Sequence, residues 1–203
     1  MIFAVTDIET TGSHASENSI TEIAVVLTDG EQVLDTFHTL VRPDHEIPHY
    51  ITTLTGITNE MVAEAPTFED IADELLSFYE DSVFVAHNAG FDYAFIKKAF
   101  EGVGTRYNPQ RLCTVRLARK ILPGHRSYSL GTLCEAIGIE NEARHRALGD
   151  TMATVELFHR LTLSDDEGII TASLKKGSGE QWLPNKLPQE TFLTLPEKPG
   201  VYY

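Results

Sequence analysis

The order of apolar segments along the chain is the feature that most constrains its fold. Three strand-like apolar stretches, at 2–8, 20–27 and 32–41, stand close together at the start. Short connections of this kind favour antiparallel pairing. Another short apolar strand follows at 83–86, and a further strand or strand–helix junction begins near 112–115. This order predicts an α/β fold with a mixed β-sheet, its first three strands antiparallel and the remainder parallel, flanked by helices.

Apolar residues that recur at helical spacing predict the helices around this sheet. The predicted helices cover 58–63, 68–79, 91–100, 115–121, 129–137 and 147–161. Thr58 and Thr67 precede the first two and are expected to act as N-caps. Pro43 and Pro48 stand between the third strand and the first helix, so this segment is expected to form a loop.

The chain changes character after residue 163. A run of lysine, glycine and serine is followed by four prolines within 184–199, and little helical or strand period remains. A length of 203 residues suits one domain of roughly 150–200 residues with an appendage. We therefore expect a single domain at 1–163, a linker or extension at 164–194 and a distinct short segment at 195–203.

The composition is typical of a cytoplasmic enzyme. Hydrophobic residues make up 42% of the chain, and no run of about 18 apolar residues predicts a membrane span. The first residues lack a basic segment and soon reach acidic ones, which indicates a strand and not a signal peptide. Cys113 and Cys134 have no CxxC spacing, which argues against a zinc site or a disulfide framework and makes the cytoplasm the simplest setting.

The formal net charge of −14 is unusual for a protein that binds phosphates, but the charge is unevenly distributed. Residues 97–146 carry ten basic and four acidic residues, whereas 1–96 carry one basic and 18 acidic residues. A local basic stretch can guide a nucleic-acid strand, and Arg111, Arg116, Arg119 and Arg126 are candidates. The alternative is a pair of solvated helix faces.

Four acidic residues occur where predicted strands end or helices begin. Asp7 and Glu9 close the first strand, and because strand side chains alternate they project from one face. At about 4 Å and an effective dielectric constant near 20, two such carboxylates repel by about 4 kcal/mol, so a cation is expected beside them. Asp92 and Asp150 lie in the first turns of two helices. Each has an ordinary alternative, a solvated strand end or a helix-start acid.

Taken together, these acids predict a metal centre. Four carboxylates can balance two divalent ions, and oxygen ligands suit Mg²⁺ or Mn²⁺ better than zinc. Two such ions about 3.5–4 Å apart can stabilise the attacking and leaving oxygens of phosphoryl transfer. His145 would stand beside them, and the reference pKa of histidine, about 6.5, suits a general base.

Three segments resemble the motifs of the DEDDh exonucleases, with the proofreading epsilon subunit of bacterial DNA polymerase III and its stand-alone cousins as nearest relatives. They are residues 7–12 (DIETTG), 88–92 (NAGFD) and 145–150 (HRALGD). The resemblance spans residues 1–163 and implies a ribonuclease-H-like fold. The sister subfamily has tyrosine four residues before the last aspartate, where this chain has Arg146, so the histidine version is indicated.

The resemblance implies a role for each matched residue. Asp7 would bridge two ions, Glu9 and Asp150 would complete the one that holds the attacking water, and Asp92 would support the other. His145 would act as general base.

It also implies a pocket for the terminal nucleotide. The residues expected to form it are Thr10, Thr11, Gly12, Leu54, Asn88 and Phe91. For Leu54 and Phe91, plain core packing is the alternative.

A second pattern, His45-Glu46-Ile47-Pro48-His49, fits the HExxH motif of zinc proteases. That site needs both histidines on one helix face, and Pro48 makes the required turn improbable. We therefore expect no zinc site here.

Residues 195–203 (LPEKPGVYY) resemble the opening of a GIY-YIG endonuclease domain. The resemblance implies that the natural protein continues past Tyr203 into a second, covalently attached nuclease domain. The alternative is an apolar tail that matches by chance.

The leading hypothesis is a 3′→5′ exonuclease that hydrolyses single-stranded DNA ends to nucleoside 5′-monophosphates, in proofreading or repair. One alternative is a 3′→5′ exoribonuclease that trims RNA ends, since the sequence shows no contact that reads a 2′-hydroxyl. Another is a nucleic-acid-binding module without catalysis. The sequence names no polymerase partner and no oligomeric state.

Overall fold

A mixed five-stranded sheet forms the centre of the protein, with the strand order β3-β2-β1-β4-β5. The computed structural model describes residues 1–141 and 143–175. The strands are β1 Ile2–Thr10, β2 Ile20–Thr28, β3 Val33–Leu40, β4 Ser82–Ala86 and β5 Arg111–Cys113. β1 pairs antiparallel with β2, and β2 with β3, while β1 with β4 and β4 with β5 are parallel pairs. The predicted α/β class and strand directions are confirmed.

Helices cover both faces of this sheet. Within the described residues they are α1 His49–Thr55, α2 Asn59–Val62, α3 Phe68–Tyr79, α4 Gly90–Gly102, α5 Thr114–Ile121, α6 Leu130–Ile137, α7 Ala147–Leu163 and α8 Ile169–Ser173. None of these described helices is both long and apolar enough to cross a membrane.

Two of the predicted helix starts are confirmed by their hydrogen bonds. The Thr67 side chain accepts from the Asp70 backbone N–H, and the Asp70 carboxylate accepts from the Thr67 backbone N–H, which together form a capping box. The Thr58 hydroxyl accepts from the backbone N–H of Met61 at the start of α2. Local hydrogen bonding therefore begins these helices where the sequence indicated.

The predicted loop before Thr58 contains a helix that the sequence pattern did not reveal. α1 begins at His49, with Pro48 as its N-cap, and ends at Thr55, with Gly56 as a C-cap in the left-handed conformation. Its buried Ile51 packs with Ile57 in a small separate core. The helix is short, and tertiary packing of these residues stabilises it more than any local periodicity.

A short helix follows α7 within the segment predicted as an extension. Ile170 of α8 is buried in the same core as the apolar residues of α7. The Asp165 carboxylate accepts hydrogen bonds from the backbone N–H groups of Ile169 and Ile170. Gln110 donates a hydrogen bond of 3.0 Å to the Leu174 carbonyl. Residues 164–175 thus pack on the domain, while 176–203 lie outside the described residues.

The alternation of β1 decides which side chains reach which layer. Ala4 and Ile8 pack into the core beneath α3 and α4, whereas Phe3 and Val5 pack into the core beneath α7. By the same alternation, the odd-numbered residues at the end of β1 point toward the α7 side. This places the acidic end of the strand next to the start of α7.

Phe158 anchors α7 to the sheet, which gives a stability prediction. The side chain is fully buried, and its ring lies 4.7 Å from the ring of Phe3. We expect Phe158→Ala to lower the free energy of unfolding by about 3–5 kcal/mol in urea denaturation, because a cavity replaces an aromatic ring. Leu163→Ala, on the same helix but 78% exposed, should change it by less than about 0.5 kcal/mol. Equal losses for the two variants would contradict this packing.

Candidate active site

Three carboxylates from distant parts of the chain meet at the end of β1. Oxygen atoms of Asp7, Glu9 and Asp150 all lie within 4.8 Å of one another, and the three side chains are half-buried. Asp7 and Glu9 share a face of β1, as predicted from strand alternation, and Asp150 lies in the first turn of α7. Folding therefore joins residues that are more than 140 positions apart in sequence.

Asp92 lies beside this group but outside the mutually close set. It occupies the first turn of α4, is 3% exposed, and its carboxylate accepts a hydrogen bond from the backbone N–H of Ile8. Ile8 stands between the two acids of β1, so Asp92 approaches them from the opposite face of the sheet. After burial, the charge of Asp92 contributes most to the raised pKa of Asp7, in agreement with this position.

Burial raises the pKa values of three acids at this site, and repulsion between carboxylates adds to the shift for Asp7 and Glu9. Burial, and then the charges of Asp150, Glu22 and Asp92, raise the pKa of Glu9 to about 8. Burial and the surrounding carboxylates raise the pKa of Asp7 well above its usual range. Burial also raises the pKa of Asp92 to about 7, although backbone hydrogen bonds oppose the shift.

These observations fit a divalent cation of the Mg²⁺ or Mn²⁺ type. All the donor atoms of the close group are carboxylate oxygens, which such hard ions prefer. A bound cation would favour the ionised form of each acid and thereby relieve the repulsion that raises these pKa values.

The segment that leads into α7 is held against Asp150. The Asn141 side-chain amide donates to one Asp150 oxygen at 2.6 Å, and the His145 backbone N–H donates to the other at 2.9 Å. His145 has a φ of 60°, and its side chain is exposed. At Gly149 an added Cβ would lie 2.2 Å from the Ala143 carbonyl oxygen, so only glycine permits this close approach.

A buried acid on β2 holds the start of the same helix. Glu22 is fully buried and accepts hydrogen bonds from the Arg146 guanidinium, the Ala147 backbone N–H and the His38 ring. Burial raises its pKa, but the bonds from Arg146, His38 and Ala147 outweigh this and lower it below the usual value. Glu22 is therefore an ionised buried acid, unlike Glu9 directly across the strand pair.

The turn after β1 is built from its own side chains. The Thr10 hydroxyl donates to the Gly12 carbonyl at 2.7 Å, and the Thr11 hydroxyl accepts from the Ser19 backbone N–H at 3.1 Å. Both threonines are buried, and an added Cβ at Gly12 would lie 2.4 Å from the Asn18 side-chain oxygen. These side chains shape the turn, so contacts with a ligand would come from its backbone.

The other predicted pocket residues differ in exposure. Leu54 near the end of α1 is 52% exposed, so it is not a core residue. Phe91 is half-buried, and its ring lies 5.1 Å from that of Phe95. Asn88 is exposed and has a φ of 72°, which reverses the chain between β4 and α4.

The basic stretch does not form one uniform face. The Arg111 guanidinium stacks 3.8 Å from the ring centre of Tyr93, and that of Arg119 lies 5.6 Å from the ring centre of Tyr128. Arg119 and Arg126 are exposed, whereas Arg111 and Arg116 are half-buried. Part of the basic charge therefore has a packing role as well.

The dismissal of a zinc-protease site agrees with the position of α1. The helix begins at His49, so His45 lies in the preceding loop and the two histidines do not share a helix face.

Sequence reasoning missed the residues that support the site. Asn141 binds Asp150 from nine positions before it, and Glu22 binds Arg146 at a separation of 124 positions, which no local pattern reveals. One signal was available for Glu22, because an acid inside an otherwise apolar strand must find a buried partner.

The pKa of Glu9 predicts how the stability of the metal-free protein depends on pH. The unfolded chain releases this proton near the ordinary value of 4.5, whereas the folded protein keeps it up to about 8. The folded state thus binds more protons in this range, and its melting temperature in EDTA should fall as the pH rises from about 5 to about 8. Glu9→Gln removes one of the titrating groups and should make the fall shallower, while Asp7 and Asp92, whose pKa values are also raised, still contribute to it. A wild-type melting temperature that rises over this range would contradict the prediction.

Comparison with known proteins agrees with this geometry. Residues 4–158 match the RNase T family model, which describes an exonuclease domain. A protein of Mycobacterium tuberculosis named as a bifunctional exonuclease/endonuclease is 40% identical over 98% of this chain, and the 3′-5′ exonuclease DinG of Staphylococcus epidermidis is 41% identical over 77%. The chain spans only 33% and 17% of the lengths of these two relatives.

A solved structure supports the same grouping. Exonuclease X, in complex with 5′ overhanging duplex DNA, superposes with a TM-score of 0.67 and 30% identity, covering 80% of this chain and 92% of that one. The likeness confirms the ribonuclease-H-like fold that the sequence motifs implied. By its matched domain and its similarity to these proteins, the chain belongs to the RNase T family of exonucleases.

Proposed function

We propose that this domain is a metal-dependent 3′→5′ exonuclease that hydrolyses the last phosphodiester bond of single-stranded DNA and releases nucleoside 5′-monophosphates. The observation that carries the proposal is the convergence of Asp7, Glu9 and Asp150 within 4.8 Å, with Asp92 beside them. A group of half-buried acids with raised pKa values is costly for the fold alone and suits a site for cations.

In this proposal Asp7, Glu9, Asp92 and Asp150 hold two divalent ions, Mg²⁺ or Mn²⁺. When bound, the ions would orient the attacking water and stabilise the charge that develops on the phosphate oxygens. Asp7 would have the central place, because it lies in the close group with Glu9 and Asp150 and is also the acid on which the charge of Asp92 acts most.

His145 is proposed as the general base. Its backbone N–H is fixed to the carboxylate of Asp150, while its exposed side chain stays accessible to a substrate. The imidazole would accept the proton of the attacking water as the new P–O bond forms and the bond to the 3′ oxygen of the penultimate nucleotide breaks.

The terminal nucleotide is proposed to lie over the turn after β1. The backbone of Thr10, Thr11 and Gly12 would contact it, since their side chains are engaged within the turn. The remaining lining is proposed to come from Leu54, Asn88 and Phe91. Leu54 offers an exposed apolar surface to a base, and Asn88 turns the chain beside Asp92.

The 3′→5′ direction is favoured because one relative is named a 3′-5′ exonuclease. DNA is favoured as substrate because a similar enzyme, exonuclease X, was solved with overhanging duplex DNA. A role in proofreading or repair within the cytoplasm stays a prediction. So does an attached endonuclease domain. The segment 195–203 lies outside the described residues, and the observation in its favour is a longer relative named as a bifunctional exonuclease/endonuclease.

The direct test uses oligonucleotides labelled at the 3′ or the 5′ end. The wild-type protein in Mg²⁺ or Mn²⁺ should release the 3′ label as a mononucleotide and leave a ladder of 5′-labelled fragments, and EDTA should stop the reaction. Asp7→Asn should abolish cleavage and retain the circular dichroism spectrum, because it removes a charge and keeps the shape. Full activity of a clean Asp7→Asn preparation would refute the assignment.

His145→Ala tests the general base separately. We expect a loss of about 10²–10⁴-fold in kcat, with little change in the metal concentration needed for half-maximal activity, because proton transfer is lost while the carboxylates remain. His125→Ala, which removes another histidine from the same basic stretch, is the control and should keep its activity. Unchanged kcat in the His145 variant would exclude it as the base.

Matched DNA and RNA oligonucleotides decide between the two nuclease hypotheses. Faster digestion of DNA is expected. Faster digestion of RNA would favour the exoribonuclease alternative, and binding of both without cleavage would favour a module without catalysis.

A further inference from the structure

We infer that Glu22 and Arg146 are positioning residues, which together set the place of Asp150 and His145 before any metal ion binds. The inference rests on the proposed function, because it treats Asp150 as a metal ligand and His145 as the base. It concerns neither the acids of the three sequence motifs nor His145, but two residues that support them.

The hydrogen bonds of Glu22 account for its whole accepting capacity. Oε1 accepts from Arg146 Nη2 at 2.6 Å and from His38 Nε2 at 2.8 Å. Oε2 accepts from Arg146 Nε and from the Ala147 backbone N–H, both at 3.0 Å. A carboxylate offers about four lone-pair positions, and all are used here. Glu22 therefore has no oxygen left for a metal ion, although it lies directly across from Glu9.

These bonds fix the residues at which α7 begins, between His145 and Asp150. Arg146 is the N-cap residue of the helix and Ala147 its first residue. His145 immediately precedes this pair, and Asp150 follows within one turn. The N-cap side chain of α7 makes no capping bond of its own, so Glu22 supplies the acceptor from a neighbouring strand.

The hydrogen bonds of Glu22 with Arg146 and Ala147 tie α7 to the strand pair of β1 and β2. β1 carries Asp7 and Glu9, which are proposed as metal ligands. Glu22 is paired with Glu9 in the register of β1 and β2, and Thr151 further anchors α7 by its hydrogen bond of 3.5 Å to the Ala24 carbonyl. A rotation or slide of α7 would move Asp150 away from Asp7 and Glu9. The bidentate Arg146–Glu22 pair opposes this motion, because two parallel bonds fix orientation as well as distance.

If Arg146 acted only through its charge, its removal would change metal affinity in the opposite direction from the one expected for a positioning residue. The guanidinium binds Glu22, which is paired with Glu9 across the two strands, so its positive charge lies near the cluster and would repel a cation. If charge alone mattered, removing Arg146 would strengthen metal binding. If position matters, removing it weakens binding, because supporting contacts behind metal ligands typically change affinity by 10–100-fold.

The test is calorimetric titration with Mn²⁺ of the wild-type protein, Arg146→Lys and Arg146→Met. We expect both variants to bind Mn²⁺ on the order of tenfold more weakly, since lysine keeps the charge but not the two parallel bonds. If the methionine variant does not fold, as judged by circular dichroism, the lysine variant decides. In Mn²⁺ activity titrations, the concentration for half-maximal rate should rise by the same factor, with kcat largely recovered at saturation.

Arg160→Lys is the matched control. Arg160 lies on the same helix, its side chain is 38% exposed like that of Arg146, and it pairs with the exposed Glu156. This variant should bind Mn²⁺ as the wild type does.

The outcomes separate the two proposals. Unchanged affinity in both Arg146 variants, or tighter binding in Arg146→Met, would overturn the positioning role and leave the exonuclease proposal standing. Absence of Mn²⁺ binding and of cleavage in the wild-type protein would overturn the proposed function, and this inference with it.

Discussion

Repulsion between carboxylates at the end of β1 is the constraint on which the rest of this structure depends. Oxygen atoms of Asp7, Glu9 and Asp150 are brought within 4.8 Å of one another, and Asp92 adds a fourth carboxyl group whose charge acts on Asp7. An isolated group of this kind would push the elements that carry it apart. The fold keeps them together because each acid sits near the end of an element whose buried apolar residues pack into the two cores.

The two faces of the sheet contribute differently to the site. On one face α7 is packed through Phe158, Leu157 and Leu161, which are fully buried, and it brings Asp150 to the strand end. On the other face α4 brings Asp92, held by the backbone of Ile8. β1 is the central strand of this part of the sheet, but beyond Val5 its register pairs it with β2 alone, so acids from both layers can meet at its end.

Neighbouring acids on β1 and β2 show how local partners decide charge. Glu9 and Glu22 face each other across the strand pair, yet the pKa of Glu9 is raised to about 8 while that of Glu22 is lowered. The difference is in hydrogen bonding: Glu22 is satisfied by Arg146, Ala147 and His38, whereas Glu9 is surrounded by like charge. Glu22 is an ionised acid that supports the fold, whereas Glu9 is suited to bind a metal cation.

Much of the fold and most of the candidate site could be predicted from patterns within single segments. Strand alternation placed Asp7 and Glu9 on one face, and the caps at Thr58 and Thr67 began helices as expected. The short helices α1 and α8 were not predicted. Each has too few residues to show a period. Ile51 holds α1 by packing in the small core with Ile57, and Ile170 holds α8 by packing in the core beneath α7.

The amino-acid sequence by itself determined the kinds of elements, the positions of the acids on them and the family to which the chain belongs. These follow from local periodicity and from motifs a few residues long. Only the tertiary structure decided that Asp92 approaches Asp7 from the opposite face of the sheet. It also decided that the hydroxyls of Thr10 and Thr11 form hydrogen bonds within the turn, and that Glu22 binds Arg146 across 124 positions. The reason is that pKa values and hydrogen-bond partners depend on distances in space, which arise only when the sheet and helices pack.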